Sequence, residues 1–322
     1  MLEVEVQKPG GPEVLTLVDR PVPQPGPGDI LIRHKAIGLN FIDTYFRTGL
    51  YPAPMPVVLG SEGSGVVEAV GEAVTRFKVG DRAAYAGGNG AYAEARVFKA
   101  ARAVHVPDGV SDGIAASVML KGMTAEYLLF RVFPVQKGQT ILIHAAAGGA
   151  GGLMVQWASA LGCRVIGTAG SPEKAALAKE FGADEVILYR REDVAGRVRE
   201  LTGGEGVPVV YDSVGKDTFD GSLASLRRGG LMVSFGNASG PVPPLDLARL
   251  MRAGSLFITR PTLNDFIAST EDLDACAGKV FDAITAGILT PKIGQTFALR
   301  DIAEAHRALE GRDTVGATVI TP

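Results

Sequence analysis

A glycine-rich loop at residues 144–152 has the residue types and the spacing that bind a phosphate group. It reads His-Ala-Ala-Ala-Gly-Gly-Ala-Gly-Gly, which places Ala146, Gly148 and Gly151 at the three glycine positions of the dinucleotide-binding fingerprint. Gly148 leaves room for a pyrophosphate to approach the backbone, and Gly151 lets the next helix lie close to the preceding strand. The N-terminus of that helix would face the phosphates with free N–H groups and the positive end of its dipole. The residues predicted to contact the pyrophosphate are Gly148, Gly149, Ala150 and Gly151.

The residues that follow the second strand favour NADPH over NADH. An NAD site usually has an acidic residue about 20 residues after the glycines, which binds the ribose 2′-hydroxyl. Here the strand ends Thr-Ala-Gly-Ser at 168–171, and Glu173 comes later, one turn into the next helix. A 2′-phosphate needs cations and hydrogen-bond donors, and the predicted contacts are Gly170, Ser171, Lys174 and Tyr189. Lys174 could equally be a solvated helix lysine, so the missing carboxylate is the stronger half of this prediction.

The elements around the loop provide the setting that such a site requires. An apolar strand at 140–144 precedes the loop, and apolar residues at helical spacing from Leu153 to Leu161 follow it. From about residue 121 onward, strands alternate with helices, and the later strands lie at 163–168, 185–189, 207–211, 231–235 and 255–259. This alternation predicts βαβ units and a doubly wound parallel sheet, which is an α/β fold.

The first 120 or so residues have a different pattern. Short alternating runs at 30–34, 65–70 and 82–85 are separated by turn clusters rich in Pro, Gly and Asp. Strands this short with this punctuation predict a compact barrel or sandwich. Near the C-terminus, helices are expected at 273–286 and 302–309, and a last strand at 317–320 could return to this first domain.

Length and composition limit the classes of protein that the chain can be. A length of 322 residues predicts two domains. The net charge of −3 offers no broad basic surface for nucleic acid or for an anionic membrane. No apolar run is long enough to span a membrane, and the acidic N-terminus does not resemble a signal peptide. The two cysteines, Cys163 and Cys276, suit reduced thiols in the cytoplasm.

Six segments together resemble the medium-chain dehydrogenase/reductase superfamily, and within it the quinone oxidoreductase, or zeta-crystallin-like, branch. The segments are 40–43, 60–67, 77–82, 145–152, 211–215 and 234–237. The similarity extends over nearly the whole chain. It implies a GroES-like barrel domain over residues 1–121 and 261–322 and a Rossmann domain that binds NADPH over residues 122–260.

The sequence departs from the zinc-dependent alcohol dehydrogenases of this superfamily. The position that matches their first cysteine ligand lies around Leu39 and Asn40, and the position of their histidine ligand is occupied by Ser61. Zinc needs three or four converging N, S or O donors, and the four histidines are scattered along the chain. We therefore expect no zinc, and we expect Glu62, beside Ser61, to be a structural carboxylate without a catalytic role.

The resemblance implies that Asn40, Tyr45 and Tyr51 line the nicotinamide and substrate space. A tyrosine offers both a stacking face and a hydroxyl donor, so these residues would stack the acceptor and donate hydrogen bonds to the developing oxyanion. The alternative is that Tyr45 and Tyr51 only pack at the rim of the barrel.

The same resemblance implies further contacts with the cofactor. Thr124 is expected near the start of an interdomain helix, and Arg312 is expected to close on the cofactor from the C-terminal segment, unless it is an arginine in a surface turn. The remaining predicted contacts follow the fourth, fifth and sixth strands and are Ser213, Val214, Phe235, Gly236, Asn237, Thr259 and Arg260.

The expected function is the zinc-independent reduction of a quinone by NADPH, because a quinone accepts hydride readily without a Lewis acid. A first alternative is an enone or alkenal double-bond reductase on the same scaffold. A second is a non-enzymatic NADPH-sensing protein with an RNA-binding or crystallin-like role. We also expect a homodimer, since the strand at 256–258 would otherwise expose unpaired backbone groups at a sheet edge.

Overall fold

The computed structural model describes residues 1–322, and the chain divides into two units. The first unit contains Met1–Met123, Ile267–Gly287 and Pro291–Pro322, and the second contains Thr124–Phe266 and Ile288–Thr290. Each unit has its own hydrophobic cluster. No helix combines the length and the apolar composition that crossing a membrane requires.

The N-terminal part of the first unit is rich in strands, as the alternating pattern predicts, but the strands at Asp29–Leu39 and Glu62–Val70 are longer than the predicted runs at 30–34 and 65–70. The strands are β1 (Leu2–Val6), β2 (Thr16–Asp19), β3 (Asp29–Leu39), β4 (Val57–Val58), β5 (Glu62–Val70), β6 (Arg82–Ala86), β7 (Ala95–Lys99) and β8 (Val104–His105). Two helices interrupt or follow them: α1 (Phe41–Thr48) and α2 (Asp112–Tyr127). Short 3-10 helices lie at Pro12–Val14 and Ala100–Arg102, and a π-helical segment at Leu128–Val132 extends α2.

The second unit alternates strands with helices. Its strands are β9 (Thr140–Ile143), β10 (Arg164–Ala169), β11 (Glu185–Leu188), β12 (Val207–Asp212), β13 (Leu226–Ser234) and β14 (Phe257–Thr259). Its helices are α3 (Gly149–Ala160), α4 (Pro172–Glu180), α5 (Val194–Leu201), α6 (Phe219–Ser225), α7 (Leu247–Arg252) and α8 (Leu263–Phe266).

The C-terminal residues return to the first unit, as the position of the last predicted strand suggested. They form α9 (Thr270–Thr285), β15 (Ile293–Ala298), a 3-10 helix at Leu299–Asp301, α10 (Ile302–Glu310) and β16 (Ala317–Thr321). Strand β16 pairs antiparallel with β3. A seven-stranded sheet results, in the order β15-β16-β3-β5-β6-β8 with β7 paired to β3, and a three-stranded sheet β2-β1-β4 accompanies it.

The sheet of the second unit has the order β11-β10-β9-β12-β13-β14, and every neighbouring pair of strands is parallel. This is the doubly wound Rossmann order, and the α/β prediction is confirmed. Because all six strands point the same way, the loops that follow them emerge at one edge of the sheet. The strand order reverses between β9 and β12, and ligands bind such sheets at this switch point.

Two predicted elements are placed differently in the structure. The helix that contains Thr124 begins at Asp112 rather than close to Thr124, and the Ser111 hydroxyl accepts a hydrogen bond from the Ile114 N–H at its start. Thr124 therefore lies in the last turn of α2, and its expected position near a helix start was wrong. Strand β13 begins at Leu226 instead of Leu231, with an irregularity in its register against β12.

Candidate functional site

The glycine loop turns sharply between β9 and α3. Ala145 has a left-handed φ of 51°, and its carbonyl accepts a hydrogen bond of 2.8 Å from the Gly148 N–H. Gly148 is extended and forms the N-cap of α3, which begins at Gly149. A Cβ atom on Gly151 would collide with the Ala145 carbonyl oxygen. Only glycine at residue 151 therefore allows the first turn of α3 to pack on this loop, as the third fingerprint position requires.

Helix α3 begins directly after the glycine turn, where the sequence places the predicted pyrophosphate contacts. The N-cap residue of α3 is Gly148, which has no side chain. The backbone N–H groups of the first helical turn therefore receive no hydrogen bond acceptor from the N-cap residue's side chain. The helix is otherwise almost entirely buried. Bare backbone N–H groups and the helix dipole together form a site suited to a pyrophosphate.

The loop after β10 brings the four residues predicted for the adenosine end close together. Ser171 caps α4 by accepting a hydrogen bond from the Lys174 N–H at 3.4 Å. A Cβ atom on Gly170 would lie 2.7 Å from the Tyr189 hydroxyl oxygen, so that hydroxyl packs directly on the glycine. No carboxylate occupies residues 168–171.

Glu173 lies closer to this loop than the sequence suggested. It is the second residue of α4, within its first turn rather than one turn into the helix, because Ser171 caps the helix and Pro172 opens it. A hydrogen bond from Ser171 lowers the pKa of Glu173, and nearby Arg191 lowers it further. The structure thus adds one anion and one cation, Glu173 and Arg191, to this end of the site.

The loops after β12, β13 and β14 pack against one another. A Cβ atom on Gly236 would collide with the Ser213 carbonyl, which brings these two predicted contacts together. Arg260 donates hydrogen bonds to the Ser234 hydroxyl at 3.2 Å and to the Gly236 carbonyl at 2.9 Å. In the amide orientation that satisfies both groups, Asn237 accepts a hydrogen bond from Arg260 at 3.1 Å. Thr259 is the last residue of β14.

In the first unit, Asn40 caps helix α1 and its amide is held by a buried carboxylate. The Asn40 side-chain NH2 donates to Glu62 at 2.9 Å, and the Lys121 ammonium donates to the same oxygen at 2.6 Å. The other oxygen of Glu62 accepts the Leu120 N–H at 2.7 Å. Glu62 is fully buried, so its charge is matched by Lys121 and by these hydrogen bonds. The amide of Asn40 is therefore fixed with its NH2 group towards Glu62.

Tyr45 and Tyr51 form an edge-to-face pair with ring centroids 5.2 Å apart. The Tyr51 N–H also donates to the Tyr45 carbonyl at 3.0 Å, which ties the end of α1 to the segment that follows it. Tyr45 is buried, whereas Tyr51 is half-buried. The structure thus brings the two aromatic residues together, with the more accessible ring on Tyr51.

Asp43, on helix α1, accepts three hydrogen bonds within a buried cluster. Its donors are the Ser61 hydroxyl at 2.6 Å, the Tyr92 hydroxyl at 2.9 Å and the Asn40 N–H at 2.9 Å. Burial raises the pKa of Asp43 to about 6, although these donors oppose that shift. Tyr92 also contacts His306 at 3.0 Å. Burial lowers the pKa of His306 to about 3.

The last predicted contact, Arg312, lies in the loop between α10 and β16. Its backbone is left-handed, with a φ of 62°, and its N–H donates to the Leu309 carbonyl at 3.1 Å. The loop geometry therefore places Arg312 directly after the end of α10.

Comparison with known proteins reveals what this chain is related to. The alcohol dehydrogenase GroES-like domain matches residues 26–108, and the zinc-binding dehydrogenase domain matches residues 149–276. A quinone oxidoreductase of Pseudomonas aeruginosa is 55% identical over 315 residues, which is 97% of each chain. The chain belongs to the quinone oxidoreductase family. The resemblance that the motifs predicted is therefore confirmed, as is the pairing of a GroES-like fold with a Rossmann fold.

Two further relatives inform the chemistry of the family. The crystal structure of Escherichia coli quinone oxidoreductase complexed with NADPH superposes with a TM-score of 0.99 at 44% identity, covering 100% of both chains. A 2-haloacrylate reductase of a Burkholderia species is 44% identical over 326 residues, which is 98% of each chain. Proteins similar to this chain thus include one solved with NADPH and one named a 2-haloacrylate reductase.

The description of the matched dehydrogenase domain implies zinc, and the side chains present do not fit it. No group of three or more His, Cys, Asp or Glu residues is close enough to hold a metal ion. At the matching positions, Ser61 and Asn40 donate hydrogen bonds to Asp43 and Glu62. Both carboxylates thus already have protein donors, and no donor set for zinc converges there.

Several residues of these clusters escaped prediction from the sequence. Lys121 lies three residues before Thr124, and its position opposite Glu62 depends on how α2 packs. Asp43 lies within the segment 40–43, but its partner Tyr92 and the partner of Tyr92, His306, are far away in the sequence. The buried His144 is the first residue of the glycine loop, and its contacts are also with distant residues.

Proposed function

We propose that this protein is an NADPH-dependent quinone oxidoreductase. The observation that carries the proposal is the 55% identity to a quinone oxidoreductase over 97% of the chain. The glycine loop supports it, because Gly151 makes the close approach of the fingerprint and no carboxylate stands at residues 168–171. When bound, NADPH supplies the hydride that reduces the quinone.

The residues of the second unit bind and orient the cofactor in this proposal. The N–H groups at 148–151 bind the pyrophosphate, and Gly170, Ser171, Lys174 and Tyr189 bind the 2′-phosphate. The other proposed contacts are Thr124, Ser213, Val214, Phe235, Gly236, Asn237, Thr259, Arg260 and Arg312. Their positions at the carboxyl ends of the strands support the assignment for the residues that follow β12, β13 and β14.

The residues of the first unit line the space for the nicotinamide and the quinone in this proposal. The NH2 group of Asn40 is held by Glu62, so its carbonyl oxygen is the atom left to accept a hydrogen bond from the nicotinamide side of that space. Tyr51, the more accessible of the two tyrosines, offers a stacking face and a hydroxyl donor, and Tyr45 holds it in place through the edge-to-face contact. A hydroxyl donor placed at a developing oxyanion lowers the barrier to hydride transfer.

The experiment that tests the proposal is a steady-state assay of NADPH oxidation with the purified protein. Quinones such as 1,4-benzoquinone should be reduced with a higher kcat/KM than 2-chloroacrylate or a 2-alkenal. Preference for either of the latter would instead establish the double-bond reductase alternative, which the 44% identity to a 2-haloacrylate reductase keeps relevant. NADPH oxidation with neither class of acceptor would overturn the proposed activity.

We further propose that the protein is a homodimer. Strand β14 is the edge of the six-stranded sheet, and Phe257 on it is 64% exposed. Nearby in the chain, Leu247 and Met251 of α7 are 73% and 65% exposed. Exposed apolar side chains beside an unpaired strand edge favour pairing with a second copy.

We also propose a cytoplasmic location. Both cysteines are buried and free of disulfides, as suits a reducing compartment.

A further inference from the structure

A chain of buried side-chain hydrogen bonds lies beneath the nucleotide-binding edge of the Rossmann sheet. The His144 ring contacts the Thr168 hydroxyl through Nδ1 at 3.1 Å and the Ser222 hydroxyl through Nε2 at 2.9 Å. Ser222 in turn donates to Asp212 at 2.7 Å. His144, Ser222 and Asp212 are at most 1% exposed, so these groups have one another as partners in place of bulk water.

Asp212 determines the direction of each hydrogen bond in the series Thr168–His144–Ser222–Asp212. The Asp212 carboxylate can only accept, so the single hydrogen of the Ser222 hydroxyl points to it. Ser222 must then accept from His144, which places the ring hydrogen on Nε2 and leaves Nδ1 as an acceptor. The Thr168 hydroxyl donates to Nδ1, and its oxygen accepts the Ala145 N–H at 3.3 Å.

Burial supports the neutral form of His144 that this pattern requires. Desolvation lowers the pKa of His144, and the nearby charge of Asp212 opposes this only in part. A doubly protonated ring could not accept the hydrogen bond of Thr168. The neutral ring is therefore the form that can make both hydrogen bonds, to Thr168 and to Ser222.

The two ends of this chain reach different loops at the nucleotide-binding edge. At one end, Ala145 has a left-handed backbone, and its carbonyl accepts the Gly148 N–H and packs closely against Gly151. At the other end, Asp212 accepts the backbone N–H groups of Val214 at 2.8 Å and Gly215 at 3.0 Å. Thr168, which contacts His144, lies two residues before Gly170 and begins the loop at 168–171.

We infer that His144 is a positioning residue for the dinucleotide, which couples the loops at 144–148, 168–171 and 212–215 into one binding unit. His144 is buried and acts through Ala145 and Asp212 rather than by touching the ligand. The inference rests on the proposed NADPH function. It follows that removing the hydroxyl of Thr168 or that of Ser222 weakens NADPH binding in the same way, through His144.

A double-mutant cycle on NADPH affinity tests this inference. The variants are Thr168→Val, Ser222→Ala and the double variant, and the dissociation constant is measured by the quenching of tryptophan fluorescence. The two hydroxyls contact opposite sides of the imidazole ring. We expect each single variant to weaken NADPH about tenfold, and the double variant to be no weaker than the poorer single one, because residues in one network are not additive.

Ser225→Ala is the matched control. Ser225 is buried in the same helix, α6, but its hydroxyl donates only along the helix, to the Gly221 carbonyl at 2.7 Å. We expect Ser225→Ala to leave the NADPH dissociation constant within twofold of the wild-type value. Its combination with Thr168→Val should be additive.

The possible results separate this inference from the proposed function. Tight NADPH binding by the wild type, with multiplicative losses in the Thr168→Val and Ser222→Ala double variant, overturns the coupling and leaves the function intact. Absence of NADPH binding by the wild type overturns both. Thermal melting of each variant accompanies the titrations, and losses in affinity that merely track losses in melting temperature, with Ser225→Ala included, would show a structural role and overturn the inference.

Discussion

Ser61 donates a 2.6 Å hydrogen bond to Asp43, although the two residues are 18 positions apart in the chain. The Tyr92 hydroxyl and the Asn40 N–H complete the hydrogen bonds to this carboxyl group. The Asp43 carboxyl group is thus enclosed by three donors of the protein. It has a pKa of about 6 because it is buried.

The pKa of Asp43 predicts how stability depends on pH. The native value of about 6 lies above the ordinary 3.8, so the native state binds more protons than the unfolded state between these values. The stability that Asp43 contributes is therefore present below pH 3.8 and lost as the pH rises through 6. Burial lowers the pKa of His34 to about 4 and that of His306 to about 3, from 6.5. Their contribution has the opposite sign, since it is present above pH 6.5 and lost as the pH falls.

We therefore expect wild-type stability to fall from pH 7.5 to pH 5, with Asp43 offsetting part of the loss. The Asp43→Asn variant lacks this offset, so its free energy of unfolding should fall by about 1 kcal/mol more over the same interval. Urea denaturation at the two pH values measures both slopes. Equal slopes for wild type and variant would contradict the assigned role of Asp43.

Lys174 is predicted to recognise the 2′-phosphate of NADPH. We expect Lys174→Ala to raise the dissociation constant for NADPH about tenfold, since a charge-assisted hydrogen bond to phosphate is lost. The constant for NADH should change less than twofold. The control is Lys179→Ala on the exposed face of the same helix. Titration calorimetry with both cofactors decides the point, and equal changes for NADPH and NADH would show that Lys174 does not bind the 2′-phosphate.

Gly151 is predicted to tolerate no side chain. In Gly151→Ala the new methyl group would collide with the Ala145 carbonyl, and that overpacking should cost about 1–3 kcal/mol of stability and displace the phosphate-binding turn. Gly278→Ala is the control, because that glycine lies within α9 with open space at its Cβ position. We expect weaker NADPH binding and a lower melting temperature for Gly151→Ala only. Wild-type values for both properties would contradict the fingerprint geometry.

Phe257 is predicted to lie in a dimer interface. Replacing it with lysine puts a charge on the edge strand β14, which should prevent pairing of two copies. Multi-angle light scattering should give twice the chain mass of 33.5 kDa for wild type and a single chain mass for Phe257→Lys. The control, Val79→Lys, changes a residue that is 61% exposed in a turn of the first unit and should remain dimeric. A monomeric wild type would refute the dimer itself.

The sequence was most informative where the chemistry is local. The glycine loop, the apolar strand before it and the helix after it are contiguous, so the close packing of Gly151 could be predicted from spacing alone. The alternation of strands and helices likewise predicted the parallel sheet, whose loops emerge at one edge. The helix that contains Thr124 starts earlier than expected, at Asp112, next to the Ser111 hydroxyl that accepts the Ile114 N–H.

The tertiary structure alone determined which buried polar groups meet. Glu62 and Lys121 are 59 residues apart, and His144 and Ser222 are 78 residues apart. Spacing along the chain specifies which face of a strand or helix a residue occupies, but strand order and packing decide which residue faces it. Buried polar groups must find hydrogen-bond partners once water is excluded. The sequence by itself therefore determined the fold class and the turn of the glycine loop, whereas only the folded chain decided the networks that hold Asn40, Asp43 and Ala145 in place.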